Sequence, residues 1–296
     1  MWEFIGNPQV LSALISAGVA FAAVPLAQYL FGRLSLRYKL QTEYEYEQRK
    51  RLRELIGSYH GRMLEAATSL HHRFENLYTN ASKKWLAVEG NYKHPDQNYY
   101  FTTTVYRFLV LCVLARKFEA EAMFIDGRIA EKNDLEFLKY VKAFYWAATD
   151  VALFDGLKYD PFRPTDHFFG DQLRMACDVC WADGSFISLL DFQGLLIGKN
   201  NGRLLPVLAF FDGLCSGEKR LRWDRLVALH LVVMAFVNTF GYEMQRSSMG
   251  DFMRAGTNCE HPLVLRNLVG GLRKLGLNRS PEAERISQVA GNFSRG

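Results

Sequence analysis

The longest uncharged stretch of the chain lies at its start: no Asp, Glu, Lys or Arg occurs from Phe4 to Gly32. Polar Asn7, Pro8 and Gln9 open the stretch, so the apolar span proper runs from Val10 to Gly32. About 20 apolar residues in a helix cover the hydrocarbon layer of a bilayer, and this span reaches that length. A secretory signal carries basic residues ahead of its apolar core and small residues at a cleavage site behind it. Here the first nine residues hold one charge, Glu3, and apolar sequence continues past "AFA" at 20–22 through Pro25 to Phe31. The pattern predicts a transmembrane helix over 10–32, preceded by a short extracytoplasmic tail at 1–9.

Beyond the span the apolar positions become periodic. Ile56, Tyr59, Met63, Ala66 and Leu70 recur at steps of three and four, and Phe74 and Leu77 follow. That is one stripe of an amphipathic helix, and it predicts a stem helix within a juxtamembrane segment of 33–90. Glu45, Glu47, Arg49 and Arg53 fit its solvated, ion-paired side. The turn cluster "NYKHPDQN" (91–98) marks the expected start of a domain of 91–296. Within it the prolines of "YDPFRPTD" (159–166) predict an inner break, after which Asp166 is expected to cap a helix in "HFFGDQLRMACDVCW". Further helices are expected in "SFISLLDFQGLLIG", closed by Gly198, and in "RLLPVLAFFDGL" and "KRLRWDRLVALHLVVMAFVNTFGYEMQR". "PLVLRNLVGGLRKLGL" is read as the last one. No alternation of apolar and polar residues predicts strands. The fold class is therefore all-α: a single-pass transmembrane helix, a long stem helix and a cytosolic multi-helix domain. The uncharged segment 226–242 competes for a membrane role, but it is only 17 residues long and contains His230, Asn238 and Thr239. It reads as a central core helix.

Charge fixes the orientation. Residues 33–53 hold seven basic side chains, Arg33, Arg37, Lys39, Arg49, Lys50, Arg51 and Arg53, against three acidic ones, within a chain of net charge +5. Basic residues flanking a span stay in the cytosol and attract anionic lipid headgroups. The expected location is the inner (plasma) membrane, with the N-terminus outside, the domain cytoplasmic and membrane lipids as partners. Because the excess charge sits beside the span, nucleic-acid binding is not indicated. Ser12, Ser16, Ala20, Ala23 and Ala27 place small side chains along one helix face, the usual surface for helix association in lipid. They predict a homo-oligomer.

Candidate chemistry is sparse. Cys177 and Cys180 in "CDVC" are spaced as a zinc pair, but a structural zinc needs four ligands, and the second pair on offer, Cys259 and His261, has an unusual spacing. Core packing of the two thiols is the favoured reading. "GLLIGKNNG" (194–202) lacks the spacing and the Ser or Thr of a phosphate loop. "DGSFISLLDF" (183–192) lacks the carboxylates of a calcium loop. His71 with Glu75, and His167 with Asp171, stand at i, i+4, a spacing that suits a helical metal site or a surface pair. "RLVALH" pairs Arg225 with His230, and wider pairs join Arg53 to His60 and Arg254 to His261. Over its six residues "RLVALH" resembles the Arg-and-His pair of HEPN-type ribonucleases, all-α dimers. The resemblance implies His230 as acid–base group and Arg225 as stabiliser of phosphorane charge. No cofactor is expected. The first reading is a non-enzymatic, self-associating scaffold, signal receiver or membrane effector with an unidentified protein or small-molecule partner. Bacterial stress or antiviral defence is one setting for such an architecture. A tethered ribonuclease is the alternative, and a zinc-stabilised binding module through Cys177 and Cys180 the third reading.

Overall fold

The computed structural model describes residues 8–162, 166–198 and 201–293. The first seven residues of the expected tail and the side chain of Ala20 lie outside the described residues. The chain is helical almost throughout: α1 (Pro8–Thr79), α2 (Tyr99–Ala122), α3 (Lys132–Thr149), α4 (Gly170–Val179), α5 (Leu189–Ile197), α6 (Leu205–Phe211), α7 (Arg222–Phe240), α8 (Met249–Gly256), α9 (Pro262–Lys274) and α10 (Pro281–Asn292). Contacts divide it into two compact units, Met1–Arg51 and Leu52–Gly296.

In the first unit, α1 runs unbroken past Pro25. Its most apolar window has a mean hydropathy of 1.4, and none of that window is buried inside the protein. Phe21, Leu26 and Phe31 stand exposed. The helix is long and apolar enough to cross a membrane. Ser12, Ser16 and Ala23 are exposed and Ala27 partly so, at helical steps that share a face. Arg33, Arg37 and Lys39 are exposed beyond them, and Arg49 pairs with Glu45 one turn back.

The second unit is built around α7. Every residue from Arg222 to Asn238 is buried, because a helix apolar on all faces has to be covered on all of them. Helices α3, α8, α9 and α10 pack on it. Its apolar window is 89% buried, so the uncharged segment is core from Leu226 to Asn238, and only its end, at Tyr242, reaches the surface. The stripe of α1 is the next layer: Tyr59, Met63, Ala66, Leu70, Phe74 and Leu77 are all buried. The stem from Leu52 onward thus belongs to the domain, which begins there and not at 91. The turn cluster is no boundary either. The Asp212 carboxylate accepts the backbone N–H groups of Val88, Glu89 and Gly90 and the hydroxyl of Tyr92, clamping that connection to the end of α6.

Four local expectations are corrected. Asp166 does not cap α4, whose N-cap is Phe169; its carboxylate accepts instead from Arg220 and from the Leu221 backbone, both at 54 or 55 residues' remove. The chain on either side of the proline break shares one core, through buried Phe154 and Phe168. Trp181–Ala182 and Ser185–Phe186 form a small antiparallel hairpin, β1 and β2. Asp183 and Gly184 both have positive φ there, the requirement of a type I′ turn, which is what "DGSF" encodes. Finally, α10 follows the helix taken as the last one, opened by Pro281 at its first position.

Helix α9 meets α3 at a close approach. A Cβ on buried Gly271 would run into the Trp146 indole, whereas one on neighbouring Gly270 would meet open space. Urea unfolding should show Gly271→Ala losing about 1–3 kcal/mol through overpacking. Gly270→Ala should be neutral or gain up to ~1 kcal/mol from helix propensity. Equal effects at the two positions would contradict the packing.

Candidate functional site

The α1 stripe brings His71, Glu75 and Tyr78 to one face, at i, i+4 and i+7, with His72 beside them. Opposite them stands His230, midway along α7 and fully buried. His71 Nδ1 and His230 Nε2 are 2.8 Å apart and share a hydrogen bond. On its other side His71 Nε2 lies 3.5 Å from Glu75 Oε2, and His72 Nδ1 lies 3.7 Å from the same oxygen. The ligand atoms of His71, His72 and Glu75 all fall within 4.8 Å of one another, the one such group of three among the described residues. A cavity of about 400 Å³ opens beside them, walled by Glu75, Tyr78, His230, Asp251 and Arg254 among others.

Electrostatics keep the two facing imidazoles neutral. Burial pushes the pKa of His71 down, partly opposed by the Glu75 carboxylate and by Asp251. Burial pushes His230 well down, with the neighbouring His71 and His72 adding to the effect. A neutral ring has one donor and one acceptor nitrogen, so the shared bond leaves His230 Nδ1 to find a partner elsewhere. It finds none. Of the buried side-chain polar atoms left unpaired among the described residues, His230 Nδ1 and the Tyr78 hydroxyl both belong to residues lining this cavity. The third, Asp134 Oδ2, lies 3.8 Å from Arg53 Nε. Buried groups are nearly always hydrogen-bonded, so two orphans around one cavity set it apart. A larger cleft of about 470 Å³ between α1, α2 and the hairpin is lined by Arg62, Arg107, Tyr99, Tyr106 and Phe186. Both of its arginines already donate to backbone carbonyls, of Ser58 and Ser69.

The residues singled out from sequence are distributed differently. Arg225 and His230 share α7 but not a site. The Arg225 guanidinium donates to the carbonyls of Asp166, Ala147 and Asp150 at 2.6, 2.7 and 2.9 Å and lies over the Phe154 ring. Burial lowers its pKa to about 9, which leaves it charged at neutral pH. It ties three chain ends together and has no donor facing His230's cavity. Cys177 and Cys180 are buried, and burial raises their thiols to about 11 and about 12. Cys177 contacts the Tyr145 hydroxyl at 3.4 Å. Neither belongs to a group of three ligands among the described residues. Cys259 points its thiol at the His261 carbonyl, and His261 Nδ1 bonds Asp224 at 2.6 Å, so "NCEHP" is a tether onto the start of α7. Arg53 pairs with Glu131 while His60 stacks on Phe137. His167 bonds Tyr159, and Asp171 pairs with Arg174. Of the two i, i+4 pairs, only His71 with Glu75 joins a larger cluster. His72, next to His71 in sequence, and His230, 159 positions away within a Leu–Val run, complete it; no sequence signal showed α7 converging on α1.

Comparison with protein-family models, with curated proteins and with solved structures gives no match. Fold and site therefore define the chain by themselves. It is an all-α protein with an apolar N-terminal helix and a helical domain holding a cavity lined by His230 and Glu75, beside His71 and His72.

Arg225 gives a decisive measurement. Arg225→Met would remove the donors of three carbonyls, and each unsatisfied buried group costs about 1–3 kcal/mol. Unfolding should show a loss of at least ~3 kcal/mol. A variant of wild-type stability would return Arg225 to the list of functional groups.

Proposed function

We propose that the chain is a single-pass membrane protein that self-associates through its anchor and presents its helical domain at the cytoplasmic face as a scaffold, signal receiver or membrane effector. The observation that carries this reading is the contrast within the molecule between two apolar helices. The window in α7 is 89% buried, whereas that in α1 is 0% buried. An exposed apolar surface of this length is stable against lipid and costly in water. The run of basic residues from Arg33 to Arg53 supports an N-out orientation and contact with anionic headgroups. The small side chains of Ser12, Ser16, Ala20, Ala23 and Ala27 support association, since close backbone approach is what drives helix pairing in lipid. The receiver role draws on two of the domain's cavities, of about 470 and 400 Å³, each large enough for a small ligand.

Two readouts test the reading. Full-length protein should remain with membranes after alkaline carbonate extraction, and its C-terminal domain should resist protease added from outside intact cells. In detergent it should run as an oligomer, which a Ser16→Leu/Ala23→Leu double variant converts to smaller species. Release by carbonate would overturn the anchor. A monomer in the parent, or an oligomer indifferent to the double variant, would overturn association through the anchor face.

A further inference from the structure

We propose that His71, His72 and Glu75 bind one divalent transition-metal ion of the zinc class, with His230 orienting His71 and the adjoining cavity supplying an open coordination position. The inference is independent of the membrane reading.

Three observations converge on it. The first is spacing. Zinc bonds imidazole nitrogen and carboxylate oxygen at about 2.0–2.1 Å in tetrahedral sites, which separates neighbouring ligand atoms by about 3.3 Å. Right-angled ligands at the same bond length would sit about 2.9 Å apart. The two contacts to Glu75 Oε2, 3.5 Å from His71 Nε2 and 3.7 Å from His72 Nδ1, match the tetrahedral edge better than the octahedral one. The exposed His72 side chain has the freedom to close what difference remains.

The second is the hydrogen bond behind His71. A metal-bound histidine almost always donates its other ring N–H to a fixed acceptor. With a metal on Nε2, His71 must carry its proton on Nδ1, the atom 2.8 Å from His230 Nε2. His230 then accepts through Nε2 and keeps its own proton on Nδ1. A buried imidazole within hydrogen-bonding distance of His71 Nδ1 is the acceptor this arrangement requires, and His230 is fully enclosed in the core.

The third is the unfilled polar demand beside the cluster. His230 Nδ1 and the Tyr78 hydroxyl are buried without partners, on rings that line the same cavity as Glu75. With three protein ligands, a tetrahedral metal has one position left for water or substrate, as in catalytic zinc sites. The cavity of about 400 Å³, walled by Glu75, His230 and the Asp251–Arg254 ion pair, provides room for it.

The test uses the full-length chain in detergent, stripped with a chelator and reloaded with zinc alone, then with cobalt(II) as a spectroscopic stand-in. One zinc per chain is expected. The cobalt form should show visible bands of nitrogen and oxygen ligation without a sulfur-to-metal charge-transfer band. His72→Ala and Glu75→Gln alter side chains that reach the surface, so circular dichroism should be unchanged. Removing a partner that merely orients a ligand typically costs about 10–100-fold in metal affinity, so loss of a ligand itself should cost about 100-fold or more. Absence of stoichiometric zinc, retention of zinc by a His72→Ala/Glu75→Gln double variant, or a thiolate charge-transfer band from Cys177 and Cys180 would each overturn the site.

Discussion

Everything in the domain depends on one constraint: α7 is apolar around its whole circumference and must be covered on every side. Val227, Leu231, Val232, Val233, Ala235 and Phe236 are each fully buried or nearly so, and such a helix gains stability only inside a shell of other helices. That demand draws α3, α8, α9 and α10 around it and gives the stripe on α1 a surface to meet. The same hydropathy, 1.3 over its apolar window, is nearly that of the N-terminal helix at 1.4. Composition alone does not separate a core helix from a candidate span. What separates them is the remainder of the chain: α7 is matched by apolar faces elsewhere in the sequence, and the N-terminal helix is matched by none that bury it.

A helix this enclosed carries its polar side chains into a low-dielectric interior, where each must be answered. Arg225 and His230 receive different answers. The guanidinium is planar, and its three nitrogens each donate to a backbone carbonyl, of Asp166, Ala147 and Asp150. An ion is held there by backbone dipoles, and the result is a joint between α3, the segment around Asp166 and α7. The imidazole of His230 is bonded on one nitrogen only. Five residues away, each guanidinium nitrogen of Arg225 has a carbonyl partner, whereas around this cavity one histidine nitrogen and one tyrosine hydroxyl have none among the described residues. Buried unsatisfied groups cost stability, so a ligand that paired these two atoms would recover some of it.

How much of this was legible in the sequence follows from the range of the interactions concerned. The all-α class, the stripe from Tyr59 to Leu77 and the core identity of α7 are periodic signals within one helix, and they read correctly. The hairpin at Trp181–Phe186 escaped because two-residue strands have no period; only Asp183-Gly184 announces the turn. The boundary expected at 91 failed because polar turn residues look alike whether they face solvent or are clamped by a distant carboxylate such as Asp212. The same limit governs the site. His71 and Glu75 are neighbours on one helix and visible as a pair, but His230 lies 159 positions away. Arg225 and His230, five positions apart, were drawn together by a spacing that tertiary structure does not use.

The metal chemistry turns on where water can reach. Cys177 and Cys180 are the softer ligands, yet a metal binds thiolate, and burial drives both thiols toward the protonated form. Loading them would require opening a packed core that holds Leu173, Ala176 and Phe192 at zero exposure. The imidazole–carboxylate set has the opposite character. Its inner member, His71, is buried and fixed by a hydrogen bond, and its outer members, His72 and Glu75, reach solvent. An ion can meet the outer pair first, shed water stepwise and finish on the inner nitrogen, with little rearrangement of the helices. A graded path from water to a pre-oriented ligand separates a site that can fill from a cysteine pair that merely has the right spacing.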